Sequence, residues 1–461
     1  MSHGQQALNQ STNGETPKLA RRLGLFDATM IVMGGIIGSG IFMNPHVVAG
    51  VVHTPLLILG AWAVGGLIAL AGAFIYAELA ALRPQVGGQY AYIREALHPG
   101  LAFIYGWTLL LVVQSGGMAA VAVTFARYFI ELSHSSIGDR ALAAAVLAVL
   151  TVINCFGVRA GSALQSFLMV LKIAAIVTLI AVGFGTGEHR QAIAGPDQLI
   201  AGDQWTAITM FGAALVPVLF AYGGWQTASF VAGEIREPRK NLPRALILGV
   251  IGVVLLYLAV NLVCVRVLGV EGLAATTTPA SEVMRLALGE KGARLIAVGI
   301  AVSTFGFLSQ SILTAPRVYF AMASDGLFFK RVAWLHPKTH APVIAIVLQG
   351  ALAIVIAMSG RYDQILNYVV SIDSLFFGVT AACLFAIRKR ALEVNDGYGH
   401  KGRVFRVSTT VIILFIAAEW LVAASAVYKD PGHSAIGLAI LLAGIPVYLF
   451  WQRRQQSARR E

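Results

Sequence analysis

Twelve apolar runs follow one another along this chain, at 25–50, 55–82, 98–130, 141–157, 161–184, 205–232, 243–268, 293–322, 342–358, 364–387, 405–427 and 434–452, with few charges inside them. A helix needs about 20 apolar residues to cross a bilayer's hydrocarbon. Within lipid every backbone N–H and C=O must find its partner inside the protein, which leaves helices and closed barrels as the only spanning structures. These runs are too long and too continuous for the roughly ten-residue alternating strands of a barrel. The expected fold class is therefore all-α integral membrane, with twelve transmembrane helices. Composition agrees: 57% of residues are hydrophobic and 12% charged, against about 25% charged in soluble domains. The 48 glycines fit close helix approach in lipid.

A net charge of +12 raises the question of nucleic acid. The placement of the charges answers it. With the N-terminus in the cytoplasm, 24 of the 34 Lys and Arg fall on cytoplasmic segments and eight on the opposite side. That is the positive-inside bias, not a phosphate groove. It predicts a multi-pass protein of the plasma (cell inner) membrane, with both termini cytoplasmic and no nucleic-acid partner. Residues 1–22 are polar, lack a signal-peptide core and read as a disordered cytoplasmic tail. Residues 23–390 form the expected core, 391–452 hold spans eleven and twelve, and 453–461 form a basic tail. The longest connections, 185–204 and 388–404, are too short for a soluble domain. Cys155, Cys264 and Cys383 have no metal or redox spacing, and nothing calls for a cofactor.

Two spans are poor continuous helices. The first reads Met33-Gly34-Gly35-Ile36-Ile37-Gly38-Ser39-Gly40-Ile41-Phe42-Met43-Asn44-Pro45, and each interior Gly costs about 1 kcal/mol against Ala. The sixth reads Pro217-Val218-Leu219-Phe220-Ala221-Tyr222-Gly223-Gly224-Trp225, where Pro217 removes a backbone donor. Breaks five spans apart suit a carrier of inverted repeats, in which half-helix ends face the substrate near the midplane. A zwitterion needs N–H groups for its carboxylate and carbonyls for its ammonium. Close-packing glycines with no ligand are the competing explanation, and two breaks five spans apart weigh against it.

Gly35–Phe42 and Phe220–Trp225 resemble the two substrate-binding signatures of the amino acid–polyamine–organocation superfamily, and are most similar to bacterial relatives of its L-type amino acid transporter branch. Arg83-Pro84 with Gly87–Tyr92, Gly233–Arg236 with Asn241–Pro243, and Thr314–Met322 with Asp325-Gly326 agree in order. The likeness covers about residues 22 to 390. It implies a LeuT-type fold of 5+5 inverted repeats with helices 1 and 6 broken, plus two peripheral helices. By position it implies that backbone amides of Gly38, Ser39 and Gly40, beside Ile37, take the substrate carboxylate. Carbonyls of Phe220, Ala221 and Gly223 would take the ammonium, Phe220 would gate, and Gly224 would leave room for the side chain. Animal L-type transporters carry a Cys between spans three and four that joins a glycoprotein heavy chain. Residues 131–140 hold none, so no disulfide-linked heavy chain is expected; monomer and homodimer both stay open. Asp373-Ser374 stands where bacterial relatives often show Asp-Trp.

A charge at the bilayer centre costs at least about 2.5–3.5 kcal/mol and marks a functional candidate. Lys172 lies midway along span five, where the resemblance implies a lysine in place of a sodium ion, reaching carbonyls near Gly35–Ile37 and Ser303. Asp373 lies in span ten, as a vestibule or proton-exchanging group or a buried structural carboxylate; Glu419 in span eleven carries no assigned role. Glu78 and Arg83 suit gating or anchoring, and Arg127 an interfacial anchor. No HExxH or GxSxG occurs, so catalytic residues are expected to be absent. The reading is a sodium-independent amino acid carrier, for small or neutral L-amino acids, by exchange or proton symport. A polyamine or cationic amino acid carrier, needing an extra pocket carboxylate, and a non-transporting amino acid receptor are the alternatives.

Overall fold

The computed structural model describes residues 19–133, 136–186, 204–359, 362–393, 406–429 and 431–458. The expected N-terminal tail up to residue 18, most of the connections 185–204 and 388–404, and the C-terminal tail beyond residue 458 lie outside the described residues. So do Arg190, Arg361, Lys401 and Arg403 of the charge count.

Regular structure among the described residues is helical, apart from one backbone pairing of Leu23 with Ile235. In chain order the helices are α1 (Leu25–Ile36), α2 (Gly40–Val52), α3 (Pro55–Leu82), α4 (Gln89–Ala96), α5 (Pro99–Thr108), α6 (Ser115–Ser133), α7 (Asp139–Cys155), α8 (Val158–Gly185) and α9 (Gln204–Tyr222). There follow α10 (Pro238–Ala275), α11 (Pro279–Thr314), α12 (Pro316–Ser324), α13 (Val343–Ser359), α14 (Tyr362–Glu393), α15 (Thr409–Lys429) and α16 (Pro431–Ala458). A π-helical turn, Leu109–Gln114, joins α5 to α6, and a 3-10 segment, Trp225–Glu234, follows α9.

Among the described residues, ten helical stretches are long and apolar enough to cross a membrane. The runs at 141–157 and 342–358 give α7 and α13, each of 17 residues. At 1.5 Å per residue these reach about 25 Å, a few ångströms short of a typical hydrocarbon core of about 30 Å. The outer surface confirms the solvent: Leu67, Phe156, Leu255, Val355 and Leu421 are each more than 60% exposed. Water would not tolerate so continuous an apolar surface.

Lipid tails are as apolar as leucine, so helix association here depends on close packing rather than on the hydrophobic effect. The extensive contacts are α3 on α10, α8 on α11, α14 on α15 and α2 on α9. At Gly65 of α3 an added Cβ would stand 2.3 Å from Val218 Cγ1 of α9, so the two helices meet at van der Waals contact. Pro217 sits inside α9, and its carbonyl accepts a 2.6 Å hydrogen bond from Asn44 Nδ2 of α2. The ends of the long helices bend where glycines take left-handed φ: Gly269 in α10 (φ 68°) and Gly289 in α11 (φ 69°).

Among the described residues, one end of the bundle carries the buried ion pairs. Arg317 and Glu234 are almost wholly buried and paired at 2.6 Å, and the Arg317 guanidinium also donates to Leu313 O. They tie α12 to the 3-10 segment. Glu78 of α3 accepts two bonds from Arg388 of α14, at 2.7 and 2.6 Å, and a third from Val407 N at 2.7 Å. Arg83 pairs with Glu95 at 2.5 Å, and Arg94 pairs with Asp325, whose carboxylate also accepts from Tyr90 at 2.9 Å. Burial, and then the Asp325 charge, push the Tyr90 phenol well above its ordinary range. At the other end Arg127 and Asp139 face each other at 3.5 Å, largely in the open.

Candidate substrate site at the two helix breaks

The first break lies between Ile36 and Gly40. Ile37 turns to an extended conformation (φ −75°, ψ 92°), and Ser39 caps α2. The amides at the start of α2 have no acceptor within the helix and lie at the positive end of its dipole. The second break lies after Tyr222. Gly224 is left-handed (φ 98°), a conformation that costs glycine little and other residues more. The breaks touch: a Cβ on Gly224 would stand 2.0 Å from the Gly35 carbonyl oxygen, and one on Gly40 would stand 3.0 Å from Ala221. Gly224→Ala therefore separates the two breaks as well as straining φ, which together cost about 1–3 kcal/mol. A purified variant is expected to lose thermal stability and substrate-induced stabilisation. Normal values of both would show that the contact is dispensable.

A cavity of about 110 Å³ opens between the breaks. Its wall includes Gly38, Ser39, Gly40, Phe220, Ala221, Gly223, Gly224 and Asp373, so eight of the eleven residues singled out in the sequence meet there. Ile37, Lys172 and Ser303 are fully buried in a layer behind the wall. The Lys172 ammonium donates to Ile37 O at 2.5 Å, and Ser303 Oγ donates to Gly38 O at 3.3 Å. Lysine and serine thus hold successive carbonyls of the first break. Ser303 takes Gly38 O directly rather than serving the lysine.

The second break has its own supports. Gly223 N donates to Phe220 O at 3.2 Å, and Thr227 Oγ1 donates to Gly224 O at 2.6 Å. Gln310 of α11 in turn donates to Thr227 Oγ1 at 2.6 Å. Tyr257 of α10 reaches both breaks, with its hydroxyl 3.2 Å from Ile36 O and 3.4 Å from Ala221 O.

Several groups here were not foreseen. Tyr257 is one aromatic among many in an apolar run. Gln114 ends the π-helical turn and lines the cavity. The inserted residue of such a turn, common at functional sites, has no signature in hydropathy. Glu419 of α15 also lines the cavity, so a helix expected to be peripheral contributes to the wall. Glu419 and Asp373 are the carboxylates of the described lining, which holds no Lys, Arg or His. The described residues hold no group of three or more His, Cys, Asp or Glu placed to bind a metal ion.

The "Amino acid permease" family model matches residues 23–450. The "Serine/threonine exchanger SteT" of Bacillus subtilis is 30% identical over 447 residues, covering 95% of this chain and 98% of its own. The mouse "Large neutral amino acids transporter small subunit 2" is 30% identical over 458 residues, covering 96% of this chain and 84% of its own. The human "Cystine/glutamate transporter" is 27% identical over 459 residues, covering 96% and 88%.

Proposed function

The chain belongs to the amino acid permease family, and on that premise we propose that it exchanges small neutral L-amino acids across the plasma membrane, independently of sodium. The observation that carries this reading is the cavity between two touching helix breaks. Helix-start amides at Gly38, Ser39 and Gly40 suit a carboxylate, and the carbonyls of Phe220, Ala221 and Gly223 suit an ammonium. At about 110 Å³ the cavity favours a small substrate, since drug-sized sites run to roughly 300–1,000 Å³.

The same reading assigns roles to the groups behind the wall. Lys172 occupies with its own ammonium the place where a coupling cation would meet the Ile37 carbonyl. Asp373 is the candidate for any proton coupling, and Phe220 for the gate. A twelve-span arrangement of two five-helix repeats and two further helices fits breaks in the first and sixth spans, with both termini cytoplasmic. Cys155, Cys264 and Cys383 all lie within spans, so the reading includes no disulfide-linked partner.

Proteoliposomes test it. Labelled serine is expected to enter at a rate that rises about tenfold or more when unlabelled serine is preloaded, because one alternating site returns faster when loaded. Equal uptake into empty and loaded vesicles under an inward proton gradient would replace exchange with symport. No uptake under any condition would remove transport.

A further inference from the structure

We propose that Gln310 of α11 is a positioning residue for substrate binding: through the hydroxyl of Thr227 it fixes the Gly224 carbonyl, and with it the part of the second break that holds the substrate ammonium. It rests on the reading above that the amino acid head group sits at the two breaks. Neither Gln310 nor Thr227 lines the cavity, so the pair reaches the ligand only through the backbone.

The hydrogens of this chain can be placed. Thr227 Oγ1 donates to Gly224 O at 2.6 Å, and Thr227 N donates to the same oxygen at 3.2 Å. Gln310 Nε2 stands 2.6 Å from Thr227 Oγ1. A hydroxyl has one hydrogen. Once that hydrogen points at Gly224 O, which has none to give, the neighbour on the other side must be a donor. The Gln310 amide therefore turns its nitrogen to Thr227. The opposite orientation would leave three oxygens in a row sharing one hydrogen. The chain runs in one direction, from the glutamine N–H through the hydroxyl to the carbonyl of the break.

A second observation is where the chain lies. A Cβ on Gly35 would stand 2.5 Å from Gly224 O, 2.9 Å from Thr227 Oγ1 and 3.1 Å from Gln310 Nε2. All three groups thus bear on α1 at the point where the two breaks meet, and a bare glycine admits them. Ser303 lies on the same face of α11, two turns away, and its hydroxyl donates to Gly38 O. One helix outside the breaks therefore holds a carbonyl in each of them.

The choice of residue points the same way. Gln310 is 1% exposed, and its Oε1 has no hydrogen-bond partner among the described residues. Beyond Thr227, its Nε2 reaches Thr314 Oγ1 at 3.4 Å. A buried amide satisfied on one side is costly, and methionine would fill the same space without that cost. What the amide alone supplies is the N–H that orients Thr227. Without it the hydroxyl is free to turn, and Gly224 O keeps only the longer bond from Thr227 N. The break that presents the carbonyls of Phe220, Ala221 and Gly223 then loosens.

Ligand-induced thermal stabilisation of the purified full-length protein, titrated with L-serine, L-alanine and glycine, tests the assignment. The melting temperature without ligand is recorded beside it. In Gln310→Met, which keeps the volume and removes the donor, the half-saturating serine concentration is expected to rise about tenfold. Thr227→Val should give a rise of the same size, and the double variant no more than either alone, because both cut one chain. Thr227→Ser keeps the hydroxyl and should stay within about twofold of the wild type. A glutamine that only supported the fold would lower the ligand-free melting temperature and leave half-saturation of the folded protein unchanged. Wild-type half-saturation in Gln310→Met, or effects that add in the double variant, overturns the assignment. If Gln310→Met does not purify, the Thr227 pair decides, and equal half-saturation in Thr227→Val and Thr227→Ser overturns it. A wild type stabilised by none of these amino acids removes the transport reading and the assignment together. That outcome is distinct from an unaltered Gln310→Met beside a wild type that binds serine, which removes the assignment alone.

Discussion

Vesicles carrying Lys172→Ala are expected to exchange labelled serine at about one-tenth to one-hundredth of the wild-type rate, at matched protein content. Lys172 is fully buried and donates to Ile37 O, a carbonyl released by the first helix break. A buried acceptor deprived of its partner costs about 1–3 kcal/mol, and a tenfold rate change corresponds to about 1.4 kcal/mol. That cost falls on the geometry of the break itself, because the Ile37 carbonyl shares its peptide unit with the Gly38 amide, the first of those expected to hold the carboxylate. The cut side chain also leaves a void beside Gly306, which lies against the lysine's Cε. Lys172→Met separates the two losses, since it refills the void and supplies no donor. Both variants should be slow if the ammonium matters, and Met alone should recover if only volume does. Wild-type kinetics in Lys172→Ala would end the assignment.

Arg317→Ala carries the largest expected loss of stability. The Arg317–Glu234 pair is buried on both sides, and removing one partner strands the other charge away from water. Breaking such a pair costs about 3–5 kcal/mol. The loss should appear as a marked fall in the temperature at which the detergent-purified protein stops eluting as a single species. Glu234→Ala alone should be comparably damaging, and the double variant should lose less than the sum of the two. A strictly additive double variant would mean that the two side chains do not act together. Arg388 and Glu78 offer the control, since that guanidinium retains some contact with the surroundings. Its removal should cost less.

Much of this architecture can be read from the chain because lipid imposes a simple rule on long runs. The boundaries of α3 coincide with the run at 55–82. The breaks announced themselves through clustered glycines and Pro217, and Lys172 through its isolation in an apolar stretch. Contacts between runs could not be read. Glu234 and Arg317 lie 83 residues apart, and nothing local says that they meet. Glu419 was visible as a charge in span eleven, but spans that are apolar on all sides do not reveal which face turns inward. Without that rotation Glu419 could not be placed against the cavity, nor Tyr257 against the two breaks. The π-helical turn at Leu109–Gln114 shifts the register of the third span and so decides that Gln114 faces the cavity, which sequence spacing does not disclose.

The hydroxyl of Tyr257 carries one hydrogen, and it stands between two carbonyls at nearly equal distance, one from each break. A phenol can donate only once. The two breaks therefore draw on a single shared tether, and at any instant one of them does without it.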